Sequence, residues 1–170
     1  MLNVPESYDF EDKEVVLETK TQLELECLVN GEVMPIEDAS DSMFAHKLMG
    51  DGIMIRPCDG VVVAPCDGVI SMIYPTKHAM GITIDDNTQI LIHFGTDSAK
   101  LNGKGFELLV KPNQKVNAGD ILWNANLTYI KENALDENII VVFTKIKDGA
   151  EIEKKYGKMQ CHDMMLRVKG

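Results

Sequence analysis

No apolar run in this chain of 170 residues approaches the roughly 18 that a membrane-crossing helix needs. Nor do residues 1–20 place a basic stretch ahead of an apolar one, as a secretory signal would. The expectation is a cytoplasmic chain with no membrane insertion. Positive charge is also short, with 17 Lys and Arg against 27 Asp and Glu and a formal net charge of −10. Nucleic-acid phosphates would be repelled, which argues against nucleic acid and for a partner with a basic face. Cys27, Cys58, Cys66 and Cys161 form no C-x-x-C pair, so neither a zinc finger nor a disulfide framework is indicated, and reduced thiols are expected. There is no H-x-H pair for a zinc peptidase, no Walker-type glycine loop, no magnesium-binding acid cluster and no paired-acid hydrolase spacing. A lysine flanked by methionines at a hairpin tip, as a lipoyl or biotin carrier would need, is missing too. No cofactor and no metal are expected.

What is present reads as β structure. Linkers rich in Gly, Pro or Ser are lacking, so residues 23–170 are expected to form one domain behind an acidic, partly disordered leader at 1–22, with an edge strand possible at Glu14 to Leu17. Leu23 to Met34 alternates and meets Asn30-Gly31, a hairpin signal. Pro57-Cys58-Asp59-Gly60-Val61 returns eight residues later as Pro65-Cys66-Asp67-Gly68-Val69, a period of one strand plus one turn. Runs at 61–63, 69–73, 82–84, 90–94, 106–110, 120–123, 139–143 and 164–168 continue the series. The fold class predicted is all-β, an antiparallel sandwich or barrel of many short strands with a few short helical turns. Helical spacing is confined to Ile36 to Met49, where Asp38 and Ser40 offer N-caps, and to Leu127 to Leu135.

The stretch Gln89 to Asp97, Gln-Ile-Leu-Ile-His-Phe-Gly-Thr-Asp, organises the rest. An unbroken apolar run delivers His93 near the end of a mostly buried strand, and Gly95 then turns the backbone away. Fifteen residues before His93, His78 closes Tyr-Pro-Thr-Lys-His, with the hydroxyl of Thr76 two residues ahead of it. A histidine nucleophile must be neutral at its attacking nitrogen, and a carbonyl beside the other ring N–H selects which nitrogen that is; the Gly95 turn is placed to supply one. His46 and His162 are read as structural.

Several motifs in order and spacing carry a resemblance: Gly50-Asp51-Gly52-Ile53, Val63 to Gly68, Thr76 to Ala79, Ile92-His93-Phe94-Gly95 with Asp97, Leu101 to Phe106, and Val116 to Asp120. From about Leu23 to Phe143 the chain resembles the glucose-type enzyme IIA domain of the bacterial phosphoenolpyruvate-dependent sugar phosphotransferase system. The resemblance implies an antiparallel sandwich that takes a phosphoryl group from the phosphocarrier HPr and passes it to the IIB domain of a sugar permease. It implies that His93 is the phosphorylated histidine, His78 the second active-site histidine and Thr76 the residue orienting it, with Asp41 and Asp97 beside the site. Met43, Phe44, Met49, Tyr74 and Leu91 would flank the partner-binding face, while Met43, Phe44 and Tyr74 suit a core equally well on their apolar character alone. Thr96, Ser98 and Ala99 depart from the family's pattern of a larger apolar residue, threonine and valine, which predicts a more polar rim. The alternative is a regulatory interaction module whose phosphorylation state is sensed by transporters or metabolic enzymes.

Overall fold

The computed structural model describes residues 22–170, so the leader and the strand at Glu14 to Leu17 lie outside the described residues, except that Gln22 opens the first strand. The strands are β1 (Gln22–Glu26), β2 (Gly31–Pro35), β3 (Gly52–Pro57), β4 (Val61–Val63), β5 (Gly68–Ile73), β6 (Ala79–Asp85), β7 (Thr88–Thr96), β8 (Phe106–Leu108), β9 (Lys115–Val116), β10 (Ile121–Ala125), β11 (Asp136–Lys145), β12 (Glu151–Lys154), β13 (Gly157–Met159) and β14 (Met164–Lys169). An eight-stranded sheet runs β13-β2-β3-β11-β7-β6-β5-β9, beside two three-stranded sheets, β1-β14-β12 and β4-β10-β8. Every pairing is antiparallel. The large sheet ends in β13 and β9, which do not pair with each other, so the architecture is a sandwich and not a closed barrel.

Successive side chains of a strand point to opposite faces, and the centre of the large sheet uses both. Ile53 and Ile55 of β3, Met80 and Ile82 of β6, Ile90, Ile92 and Phe94 of β7, and Ile139, Val141 and Phe143 of β11 enter the main core. Each such side chain contributes on the order of 1.5–3 kcal/mol when fully buried. The alternate residues Met54, Ala79, Leu91, Ile140 and Val142 form a second, smaller cluster on the opposite face with Ile36 and Phe44. A double-faced strand explains why residues 90–94 show no polar alternation.

The structure departs from the sequence reading in its strand connections and its margins. Asn30-Gly31 is no hairpin: neither residue has positive φ, as the usual two-residue turn requires. β1 pairs with β14, while β2 pairs with β3 and β13. The Asn30 side chain is used elsewhere, accepting from Cys161 N at 2.8 Å and donating to Asp59 Oδ2 at 3.1 Å. The two Asp-Gly turns separate successive strands as expected; the first carries the chain from the large sheet to β4 in a small one, and the second returns it. Gly60 is required where it stands, because a Cβ there would meet the Ala125 carbonyl at 2.0 Å. The helix expected over Leu127 to Leu135 spans Leu127–Asn133, capped by Asn126, whose side chain accepts from Tyr129 N. The strands β9, β12 and β13 were not foreseen; they are short and rich in exposed charge, as sheet margins are.

Candidate functional site

The small face of the large sheet carries the histidines. In register across it run Met34, Met54, Ile140, His93 and Ala79, so His93 stands in the middle of an apolar row. His78 lies immediately before β6, and its carbonyl accepts from Phe94 N at 2.7 Å, which locks it beside β7. The two imidazoles meet edge to face with ring centroids 4.8 Å apart. Thr76 Oγ1 is 2.7 Å from His78 Nδ1, and Tyr74 closes on His78 with centroids 5.3 Å apart. His78 is buried and His93 half-buried.

A residue from the other side of the sandwich fixes this turn. Trp123 is fully buried and donates from Nε1 to the Lys77 carbonyl at 2.7 Å. Lys77 sits at φ +64, a conformation that a lysine adopts only when surroundings hold it. Sequence reading missed Trp123 because the contact runs from a side chain to a backbone atom 46 residues away. Trp123→Phe should cost about 1–3 kcal/mol in chemical unfolding, from the lost bond and the void left behind. His78 ring resonances should move with it while those of His162 stay; an unmoved His78 would refute the tie.

The cover over His93 comes from residues 36–49, where Ile36–Asp38 makes a 3-10 turn and Ser42–Ala45 a single α-turn. The N-cap is Asp41, not Asp38 or Ser40; its side chain accepts from Met43 N at 2.8 Å. Phe44 drops onto His93 with ring centroids 5.0 Å apart. Phe44 and Leu91 are thus buried core and not an open docking face, Met49 and Tyr74 are partly buried, and Met43 is 47% exposed. Ser98, expected at the rim, is fully buried and donates to the Phe94 carbonyl at 2.7 Å and more weakly to that of Gly95 at 3.3 Å. Asp97 is exposed and pairs with Lys100 at 3.2 Å. His46 is exposed, and His162 lies at the far end near β14, 3.0 Å from Glu26 Oε1.

His93 Nδ1 is the one buried side-chain nitrogen or oxygen among the described residues with no hydrogen-bond partner. Burial pushes the His93 pKa down to about 4, and the neighbouring His78 adds to this; the Gly95 carbonyl and Asp41 oppose it. That carbonyl therefore lies near enough to favour the proton without completing a bond. Burial also lowers His78, against the opposing effect of the Thr76 backbone. With Nδ1 enclosed, Nε2 is the His93 nitrogen open to a reagent. The pair is an uncharged, half-enclosed imidazole beside a second imidazole that Thr76 holds.

The pH dependence has a definite sign. The unfolded chain binds a proton at His93 near the ordinary histidine value of about 6.5, whereas the folded chain resists it down to about 4. Stability from this group is complete above about 6.5 and falls as pH drops through that window, by at most about 3 kcal/mol. A ring-proton titration by NMR should place the His93 midpoint well below 6.5; a midpoint at or above it would contradict the enclosure. Cys66, buried at the second Asp-Gly turn, is pushed up to about 12, as fits an inert thiol.

Residues 23–149 match the model of the family described as phosphoenolpyruvate-dependent sugar phosphotransferase system, EIIA 1. The chain is 42% identical over 141 residues to the PTS system glucose-specific EIICBA component of Staphylococcus carnosus (strain TM300), a match that covers 83% of this chain and 21% of that protein. The chain thus spans about a fifth of the length of this curated relative. The fold superposes on glucose permease IIA from Mycoplasma capricolum with a TM-score of 0.82 and 30% identity, covering 86% of this chain and 95% of that one.

Proposed function

Because the chain belongs to the EIIA 1 family of the phosphoenolpyruvate-dependent sugar phosphotransferase system, we propose that it is a phosphoryl relay in sugar uptake. It accepts the group from phospho-HPr on His93 and delivers it to the IIB domain of a sugar permease. The observation that carries this reading is the Thr76–His78–His93 arrangement, in which a neutral imidazole meets a second imidazole whose far nitrogen is free to donate. Nε2 of His93 attacks phosphorus as the nitrogen–phosphorus bond in the donor breaks, and the donor imidazole leaves with the electron pair. The proton on His93 Nδ1 stays in place, and the charge the ring gains draws that N–H toward the Gly95 carbonyl. Thr76 donates its hydroxyl hydrogen to His78 Nδ1, which leaves an N–H at Nε2 for a phosphoryl oxygen. Phosphoryl transfer needs little beyond such alignment and charge stabilisation.

Partners would dock on the surface around the site. Met43, Leu48 and Met72 are large apolar side chains left exposed, and the register places Met72 in line with Gly81 and Leu91 on the histidine face. The acidic excess of the chain complements partners with basic surfaces. The test is to incubate the protein with phosphoenolpyruvate, enzyme I and HPr and to weigh it intact. One phosphoryl increment, lost in acid and kept in base, is expected; no increment would refute the relay.

A further inference from the structure

We propose that Asp136 is a positioning residue for His93, tying the cover over the histidine to the strand end that carries it. The proposal rests on His93 as the phosphoryl acceptor for its kinetic consequence only. At the start of β11 the Asp136 carboxylate accepts three hydrogen bonds: from Thr96 Oγ1 to Oδ1 at 2.7 Å, from Asn138 N to Oδ1 at 3.0 Å, and from Ser40 Oγ to Oδ2 at 3.0 Å. The two hydroxyls come from segments 96 and 40 residues away, and each lies next to a part of the site. Ser40 precedes Asp41, the cap of the turn that lays Phe44 on His93. Thr96 follows Gly95, whose carbonyl acts on the His93 ring.

Such a tie has work to do because the cover cannot hold itself. A four-residue helix has no stability alone and depends on its contacts. Its apolar anchors are Ile36 and Phe44, and its side-chain polar ties, Lys47 to Glu37 at 3.1 Å, Lys47 to Asp51 at 3.7 Å and Ser40 to Asp136 at 3.0 Å, all lie at the surface. The backbone doubles the clamp on the strand side. Leu135 N donates to the Thr96 carbonyl at 3.0 Å, and a Cβ at Gly95, where φ is +87, would stand 3.3 Å from the Asp136 carbonyl. Gly95 is therefore pressed between Ser98 and the Asp136 backbone, and the carboxylate carries that constraint across to the cover.

The sign of one measurement separates this role from a simple effect of charge. The ionisable groups that act on His93 are His78, from the turn before β6, and Asp41, from the cap of the cover. Removing a nearby negative charge makes protonation harder and lowers the His93 midpoint. Loosening the tie admits water and relieves the burial that dominates, a rise that outweighs the smaller raising effect lost if the Gly95 carbonyl shifts, so the midpoint goes up. Asp136→Asn, Ser40→Ala and Thr96→Val are compared with the wild-type chain by NMR titration of the unphosphorylated protein, which needs no phosphate donor. The expected result is a rise of roughly one pH unit toward the ordinary value in Asp136→Asn, with smaller rises in the other two. Loading by phospho-HPr should fall roughly tenfold in kcat/KM, as misaligned reactants do. A midpoint that is unchanged or lower in the three variants overturns the proposal, even if loading is slowed. Should Asp136→Asn fail to fold, the two hydroxyl variants decide the matter by the same sign. Should the wild-type chain take no phosphate at all, the relay reading falls, and the titration still decides the clamp.

Discussion

Replacing His93 with alanine is expected to abolish phosphoryl uptake from phospho-HPr, a loss on the order of 10⁴-fold or more, as for other enzymes that lose their nucleophile. No other group is ready to substitute. Nδ1 of His78 is engaged with Thr76, the ring is buried, and His162 Nδ1 is turned to Glu26. The fold should tolerate the change. The variant loses the ring contacts to Phe44 and His78, but it also removes a buried nitrogen that has no partner, an arrangement that itself costs about 1–3 kcal/mol. The net effect on unfolding at neutral pH should stay within about 1 kcal/mol. In acid the variant should be the less sensitive protein, since it lacks a group that the unfolded chain protonates near 6.5 and the folded chain resists protonating down to about 4. The assay is transfer of labelled phosphate from phosphoenolpyruvate through enzyme I and HPr, with unfolding curves at pH 7 and pH 5. Undiminished labelling would remove His93 from its role.

Much of the sandwich and the place of the two histidines were legible because they depend on local pattern. The run at 90–94 and the glycine after it mark one buried strand, and the β-branched runs at 61–63 and 139–143 mark others. Strand partners were less legible. Asn30-Gly31 has the composition of a hairpin, yet its side-chain and backbone bonds go to residues 58, 59 and 161, and only the assembled sheets show that. The polar margins β9, β12 and β13 escaped notice because a strand that buries little shows little apolar pattern. At the site, the residues whose side chains gather around the paired rings were named from sequence, whereas those tied in through backbone atoms or over long separations were not. Trp123 acts through the Lys77 carbonyl, and Asp136 through hydroxyls on two distant segments. For Phe44 the sequence left partner surface and core open, because a phenylalanine in a short amphipathic turn has the same pattern whether it faces a partner or a second core.

His78 and His93 should separate under a conservative change. In His78→Gln an amide N–H remains near the site and an amide oxygen is available to Thr76, but both lie at one end of the side chain. In the imidazole, the acceptor toward Thr76 and the donor toward the phosphoryl group lie on opposite sides of a ring that Tyr74 and His93 hold by its edges and face. Loading should survive, since the phosphoryl group arrives already activated on nitrogen and the His93 nucleophile is unchanged. Onward transfer depends more heavily on the brace, because His93 is then the leaving group and negative charge on the phosphoryl oxygens must be held as its bond loosens. Loss of one preorganised donor typically costs about 10²–10³ in rate, so transfer to IIB should fall by roughly two orders of magnitude or more. Thr76→Ala should show a milder form of the same defect, because it frees the His78 ring without removing it. Single-turnover transfer from each phosphorylated variant to a IIB domain, set against its rate of loading by HPr, measures the split. If His78→Gln fails to load, or passes phosphate on at the normal rate, the division between nucleophile and brace is wrong and the two rings exchange or share those roles.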